Sequence, residues 1–267
     1  MLKQRVITAL WGIPLVVAAA WFDEPIPWFT VLAAVVGLMA CLEFYRMSGV
    51  SKALPLAVFG LVATVLFIGY PHCTFAPALP VLLTAAVVLS LIILIVIRKR
   101  EGIFSGWAWT MGSILYIGWL LGLLVTIRID AGRDWLYLVL FATFGSDTSA
   151  YFMGKAFGKH KLAPGISPGK TWEGAVAGVV GGVVISLLFT LDTPLQLPLS
   201  YGEVVLLGVF VSIFGQFGDL VESLFKRSFG VKDSGSIMPG HGGILDRLDS
   251  VLFGGVVVYG YWLLINI

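Results

Sequence analysis

Charge is what this sequence has least of. Of its 267 residues, 12% are Asp, Glu, Lys or Arg and 58% are hydrophobic, with a mean hydropathy of +0.97, whereas soluble domains carry about 25% charged residues. Too few charged side chains are present to cover a water-facing surface, which excludes an ordinary soluble globular protein. Between Ala53 and Ile97 there is no charged residue at all. A bilayer core about 30 Å thick takes about 20 residues of helix, so this run holds two spans, with Gly69, Pro71, Pro77 and Pro80 as the break between them. Cysteine is equally scarce: Cys41 sits in an apolar run and Cys73 in a loop, which gives neither a disulfide framework nor a metal-type spacing. The 17 basic residues barely outnumber the 15 acidic ones, so the chain lacks the basic excess of a nucleic-acid binder. Low-complexity tracts and internal repeats are missing, and with them the inverted symmetry of many transporters.

What is present is a series of apolar runs separated by charge. They predict nine helices, near 6–22, 25–42, 54–71, 75–97, 103–127, 135–153, 172–191, 204–222 and 246–265. Lys3 and Arg5 ahead of the first run resemble the start of a signal peptide, but a second apolar run follows without a small-residue cleavage site, so the first run reads as a span. Only two connections are long, 154–171 and 226–245, which leaves no room for a separate soluble domain. Short cytoplasmic loops collect Lys and Arg. With the N-terminus inside, the inner segments hold Lys3, Arg5, Arg46, Lys52, Arg98, Lys99, Arg100, Lys155, Lys159, Lys161, Lys170, Lys226, Arg227, Lys232 and Arg247, 15 of the 17, and the outer side keeps Arg128 and Arg133. The expectation is an all-α polytopic membrane protein of about nine transmembrane helices, N-terminus cytoplasmic and C-terminus outside. Helices 1–5 (residues 1–133) would form a scaffold, a lipid access path or a homodimer surface, and helices 6–9 (residues 134–267) would carry the chemistry. In helix seven, Gly174, Gly178 and Gly182 recur at a spacing of four and strip one face for close helix packing.

Ionisable residues inside membrane spans are costly and mark function by default. Here they gather. Asp147 lies 13 positions after Asp134, about 20 Å along a helix, toward the cytoplasmic side. Glu173 opens helix seven at that face, Asp219 and Glu222 end helix eight there, and Asp246, Arg247 and Asp249 open helix nine there. Asp219 with Glu222, and Asp246 with Asp249, are i,i+3 pairs that share a helix face. Helices 1–5 offer nothing comparable. Carboxylates with few His or Cys favour Mg²⁺, Mn²⁺ or Ca²⁺ over zinc. A position in the headgroup layer accounts equally for Glu173, Glu222 or Asp249 taken singly, but poorly for Asp147 and Asp219. Beside the acids lie the basic, glycine-containing loops, a combination suited to phosphates or to anionic lipid headgroups. The stretch Pro164 to Thr171 ends like a phosphate-binding P-loop, but its first glycine is replaced by Pro164 and no strand is expected before it. It reads instead as a turn at Pro168 and Gly169, with Thr171 as the N-cap of a helix whose N-terminus favours phosphate.

The most specific stretch is Ser223-x-x-Lys226-Arg227-x4-Lys232-Asp233-x-Gly235-x-x-x-Pro239-x-His241-Gly242-Gly243-x-x-Asp246-Arg247-x-Asp249. It resembles the phosphatidate cytidylyltransferase signature without a departure, and Ser146-Asp147-Thr148 and Ile166-Ser167-Pro168-Gly169-Lys170-Thr171-Trp172-Glu173-Gly174 upstream are similar to that family as well. The resemblance implies an integral enzyme of the cell (inner) membrane that converts CTP and phosphatidic acid to CDP-diacylglycerol and pyrophosphate at the cytoplasmic face. It implies Mg²⁺, with or without a second cation, and neither an organic cofactor nor a nucleic acid. On that footing Asp219 and Asp246 hold the metal or metal pair, with Asp147 and Asp249 as helpers. Lys226, Arg227, Lys232 and Arg247 bind the triphosphate and the lipid headgroup, Lys226 being counted with the catalytic carboxylates. Lys170 and Asp233 complete the substrate contacts. Gly242 and Gly243 allow close backbone approach to phosphate oxygens; Ser167, Thr171 and Ser223 bond phosphates or local backbone; His241 bonds a phosphate, acts as an acid or steadies its turn. A CTP-dependent polyprenol kinase is the nearest mechanistic alternative, and an ion-coupled transporter a more distant one.

Overall fold

In hydrocarbon every backbone N–H and C=O must be satisfied within the chain, and apolar runs of this length do so as helices. The computed structural model describes residues 2–23, 25–97, 102–235 and 242–266, with side chains from residue 11 onward. Its helices are α1 (Leu2–Trp21), α2 (Trp28–Ser48), α3 (Leu54–Gly69), α4 (Ala78–Val96), α5 (Ile103–Ser113), α6 (Leu120–Thr126), α7 (Arg133–Phe157), α8 (Trp172–Leu187), α9 (Tyr201–Ser228) and α10 (Leu245–Ile265). Wide π-helical turns at Ile114–Trp119 and Ile127–Ala131 join and extend α5 and α6. The chain is an all-α polytopic membrane protein with, among the described residues, one small hairpin, β1 (Lys161–Ala163) antiparallel to β2 (Ser167–Thr171).

Among the described residues, seven helical stretches are long and apolar enough to cross a membrane: Trp28–Ser48, Leu54–His72, Ala78–Val96, Ile103–Ala131, Trp172–Thr190, Tyr201–Ser228 and Leu245–Ile265. Of the nine expected spans, the first and sixth fall outside that set. Helix α7, at 25 residues, is long enough, but Ser146, Asp147, Thr148 and Ser149 make it more polar. The hairpin corrects the reading of 154–171 as loop: Pro168 and Gly169 lie within β2, and the turn falls at Pro164 and Gly165. Helix α9 runs to Ser228, so Lys226 and Arg227 belong to its last turn rather than to the loop after it.

The chain divides into two compact units, one of residues 1–126 with 233–246, the other of 127–232 with 247–267. In the first, Phe67, Ala63, Ala86, Met111 and Ile114 form a buried apolar cluster. Buried hydroxyls there pair with one another and with backbone, as membrane interiors favour: Ser113 Oγ donates to the Thr110 carbonyl at 2.8 Å and lies 2.8 Å from Tyr45 Oη, whose proton it can accept.

In the second unit, α8 lies antiparallel between α7 and α9. A Cβ at Gly178 would meet Gln216 Nε2 at 2.9 Å and Ala150 Cβ at 3.1 Å; one at Gly182 would collide with Ser212 Oγ, and one at Gly174 would meet the Ala150 carbonyl at 2.8 Å. The glycine face expected from the spacing of four is therefore the face that packs. Helix α9 opens with a capping box, Ser200 Oγ accepting from Glu203 N at 3.4 Å and Glu203 Oε2 accepting from Ser200 N at 2.7 Å. Tyr261 near the end of α10 donates to Glu203 Oε1 at 2.7 Å, which sets α10 antiparallel to α9.

Because the contacts facing Gly178 include a backbone-anchored alanine as well as a side chain, Gly178→Leu is expected to destabilise the chain by about 1–3 kcal/mol or more. Thermal denaturation in detergent should show a lower midpoint; an unchanged midpoint would mean that α7, α8 and α9 can separate without loss.

Candidate active site

The second unit brings together most of the nominated residues. Thr171 ends β2 and caps α8, its hydroxyl accepting from Gly174 N at 3.2 Å. One residue earlier, Lys170 reaches α9: its ammonium lies 2.8 Å from Asp219 Oδ2 and donates to the Gln216 carbonyl at 3.3 Å. Gln216 in turn donates through Nε2 to the Ala175 carbonyl in the first turns of α8 at 3.0 Å. Ser223, one turn after Asp219, donates to Asp219 Oδ1 at 3.3 Å. Both oxygens of Asp219 are thereby oriented, one by a cation and one by a hydroxyl.

Asp147 from α7 and Asp249 from α10 join Asp219. The three carboxylates interact directly through their charges, with Lys170 acting on both Asp147 and Asp249 and Arg247 on Asp147. Ser250 stitches two of them: its hydroxyl bonds Asp147 and its backbone N–H donates to Asp249 Oδ1 at 2.8 Å. The approach is close because Gly218 faces the Asp249 carbonyl with no room for a Cβ. Asp249 is buried. Among the described residues, no group of three His, Cys, Asp or Glu side chains converges to the spacing of a closed metal site. The donors are nonetheless all oxygen, the set that suits Mg²⁺, which is bound by one or two carboxylates together with substrate phosphates rather than by an all-protein cage.

The hairpin is held at both ends. His160 Nδ1 lies 2.7 Å from Glu173 Oε1 at the start of α8. At the tip, Arg227 donates through Nε to the Ile166 carbonyl at 3.2 Å, and through Nη1 to the Val231 carbonyl at 3.3 Å. Arg227, nominated as a phosphate ligand, thus also fastens the hairpin to the end of α9. Lys226 pairs with Glu222 one turn earlier, and Glu222 is fully buried. Lys232 and Arg247 are exposed, and Ser167 sits half-buried in β2.

Asp246, Asp233, Gly242 and Gly243 belong to the first unit. Asp246 Oδ2 accepts from Gly243 N at 2.8 Å and from Ser234 N at 3.2 Å, and lies 3.0 Å from Ser234 Oγ. Gly242 adopts a φ of +80°, and a Cβ there would meet Asp246 Oδ2 at 2.6 Å. His241 lies outside the described residues.

Sequence reasoning misses four residues: Gln216, Ser250, Ser234 and above all Glu43. Glu43 lies among the helices expected to carry nothing comparable. It is buried in α2, accepts from Ile244 N at 3.1 Å and Leu245 N at 3.0 Å, and lies 3.0 Å from Ser234 Oγ. The one signal for it in the sequence is that Glu43 is a lone acid in an apolar run, a cost that needs donors somewhere in the fold.

The sequence profile of the cytidylyltransferase family matches residues 3–265. The chain is 36% identical over 270 residues to the phosphatidate cytidylyltransferase of Bacillus subtilis (strain 168), an alignment covering 98% of this chain and 97% of that one. It is 38% identical over 262 residues to a protein of the same name in Pseudomonas aeruginosa, covering 94% and 93%. A third, from Staphylococcus haemolyticus, is 43% identical over 160 residues, 59% of this chain and 60% of that one.

Breaking a buried ion pair by removing one partner leaves an uncompensated charge. Lys226→Met is therefore expected to destabilise the chain by about 3–5 kcal/mol, with most of that loss regained in the Glu222→Gln/Lys226→Met double variant. Denaturation midpoints of the three proteins in detergent check this; a Lys226→Met chain as stable as the parent would show that the pair does not hold the end of α9.

Proposed function

The chain belongs to the cytidylyltransferase family and is a nucleotidyltransferase of the membrane; on that footing we propose that it converts CTP and phosphatidic acid to CDP-diacylglycerol and pyrophosphate in phospholipid biosynthesis. The observation that carries this reading is the grouping of Asp147, Asp219 and Asp249 with Lys170 at the N-terminus of α8. Carboxylates set beside a lysine and a helix N-terminus suit a substrate made of phosphates and its cation. The names of the relatives from B. subtilis and P. aeruginosa support the choice of lipid.

In the proposed step a phosphate oxygen of phosphatidic acid attacks the α-phosphorus of CTP. The bond to the β-phosphate oxygen breaks, and pyrophosphate leaves with that electron pair. No protein nucleophile is required, so the work of the chain is positioning and charge neutralisation. Asp219 is the proposed Mg²⁺-binding carboxylate of the second unit, with Asp147 and Asp249 supporting it, and Asp246 that of the first. When bound, the cation polarises phosphate oxygens and neutralises the charge that develops on the leaving group. Lys226, Arg227, Lys232 and Arg247 neutralise the triphosphate and the headgroup, with Lys170 and Asp233 beside them. Ser167, Thr171 and Ser223 offer hydroxyls, and Gly242 and Gly243 bring backbone close to phosphate. His241 is assigned a phosphate contact.

The proposed topology follows from the distribution of Lys and Arg: nine spans in the cell (inner) membrane, N-terminus in the cytoplasm, C-terminus outside and the site facing the cytoplasm. CTP then arrives from the cytosol and phosphatidic acid from the leaflet.

Purified protein with Mg²⁺ and CTP labelled at the α-phosphate is expected to move label into the lipid phase with phosphatidic acid, whereas CTP labelled at the γ-phosphate should leave a polyprenol unlabelled. Asp219→Asn or Asp246→Asn should lower turnover by about a hundredfold or more while the protein stays folded, and chelation of Mg²⁺ should abolish turnover. Label in polyprenol phosphate would select the kinase; no label in either lipid would overturn the enzyme assignment.

A further inference from the structure

Glu43 and Asp246 are separated by 202 residues in sequence, yet they share a hydrogen-bonding partner. Glu43 is 1% exposed. A carboxylate at that depth needs strong compensation, and its donors come from one place. Glu43 Oε1 accepts from Ile244 N at 3.1 Å and Oε2 from Leu245 N at 3.0 Å. These are backbone N–H groups at the start of α10, whose first residue is Leu245 and which have no carbonyl partner within the helix. The carboxylate thus caps α10 from another helix, and its negative charge meets the positive end of the helix dipole.

The second contact is Ser234. Its hydroxyl lies 3.0 Å from Glu43 Oε2 and 3.0 Å from Asp246 Oδ2, so its one proton serves one carboxylate or the other. Its backbone N–H donates to Asp246 Oδ2 as well, at 3.2 Å. The arrangement closes tightly: a Cβ at Gly235 would meet Glu43 Oε1 at 2.5 Å, and one at Gly243 would overlap both Ser234 Oγ and Glu43 Oε2. Two glycines and one serine form a cradle shaped around a buried acid, and the next residue of the helix that acid caps is Asp246.

We propose that Glu43 is a positioning residue for the nucleotidyl transfer: it fixes the first turn of α10 and, through Ser234, the orientation of the Asp246 carboxylate. This rests on the assignment of Asp246 to the catalytic machinery made above. Glu43 does not touch substrate. Its effect is therefore on the rate of the bound complex rather than on the affinity for CTP.

The test compares the full-length parent, Glu43→Gln and Ser234→Ala in detergent or lipid nanodiscs. Glu43→Gln keeps the volume but replaces one carboxylate oxygen by an NH₂ that faces a backbone N–H, setting donor against donor. Loss of such a bond predicts a fall in kcat of about tenfold to a hundredfold, with KM for CTP within about twofold of the parent. Amide hydrogen exchange of the peptide spanning 242–250 should be faster in Glu43→Gln by more than any fall in the denaturation midpoint accounts for. Parent-like kcat in Glu43→Gln, or a loss that only matches a smaller folded fraction, overturns the proposal. Faster exchange with parent-like kcat does so too, since it leaves a cap that does not position Asp246. If Glu43→Gln fails to fold, Ser234→Ala decides: lowered kcat at unchanged KM supports the link to Asp246, and parent-like kcat breaks it. A parent that transfers no label from CTP to phosphatidic acid refutes the functional reading and removes the catalytic half of this one. Exchange at 242–250 still decides the cap by itself.

Discussion

A carboxylate inside a membrane protein persists only where a cation or fixed donors answer its charge, and most of this structure can be read as the consequence. Glu222 is answered by Lys226, Asp219 by Lys170, Glu203 by Ser200 and Tyr261, and Glu43 by the first amides of α10. Each of these contacts also fixes a helix end or joins two elements. Lys170 ties β2 to α9, Tyr261 ties α10 to α9, and Glu43 ties α2 to the start of α10. In a fold where apolar packing alone discriminates weakly between helix arrangements, because lipid is as apolar as the helix surfaces, these polar contacts specify which helix ends belong together.

Small residues make the contacts reachable. Without a side chain at Gly178 and Gly182, α8 lies close enough to α9 for Gln216 to reach the Ala175 carbonyl. Without one at Gly218, α10 lies close enough to α9 for Asp249 to enter the neighbourhood of Asp219. Backbone proximity in the spans and charge pairing at their ends therefore depend on each other: the glycine face sets the distance, and the ionic contacts set the register along it.

How much of this can be read from the sequence follows from the range of the interactions. Apolar runs between charges are local, so the helices are legible, and i,i+3 spacing alone puts Asp219 with Glu222 and Asp246 with Asp249. Thr171 is recognisable as a cap because capping is decided within four residues. The hairpin is not, since its strands are three and five residues long and β2 contains proline and glycine, which in isolation mark a turn. Helix α9 continues past Glu222 because Lys226 neutralises that acid from within the next turn, so the charges that look like a loop boundary are an i,i+4 pair. Glu43 shows in the sequence as a lone acid, but what answers its charge is hidden for a different reason. Its donors are backbone amides about 200 positions away, and backbone groups leave no signature in residue type.

The placement of the acids also bears on what the second unit can do. Asp219 and Glu203 lie on the same helix, 16 residues or about 24 Å apart. On the buried side of α9 between them stand Val204, Leu207, Gly208, Val211, Ser212 and Gly215, and the hydroxyl of Ser212 is turned back onto the Gly208 carbonyl. A proton or cation path through a span needs exchangeable groups at hydrogen-bond intervals, and along this face the described residues offer an apolar interval instead. At the other end of α9, Asp219 is held from both sides, by Lys170 and by Ser223. Groups that must shuttle ions change partners in every cycle. Groups that stabilise developing charge gain from being already oriented when the reaction begins. The clustering of oriented carboxylates at one end of α9, separated by apolar packing from Glu203 at the other, favours chemistry at that end over passage along the helix.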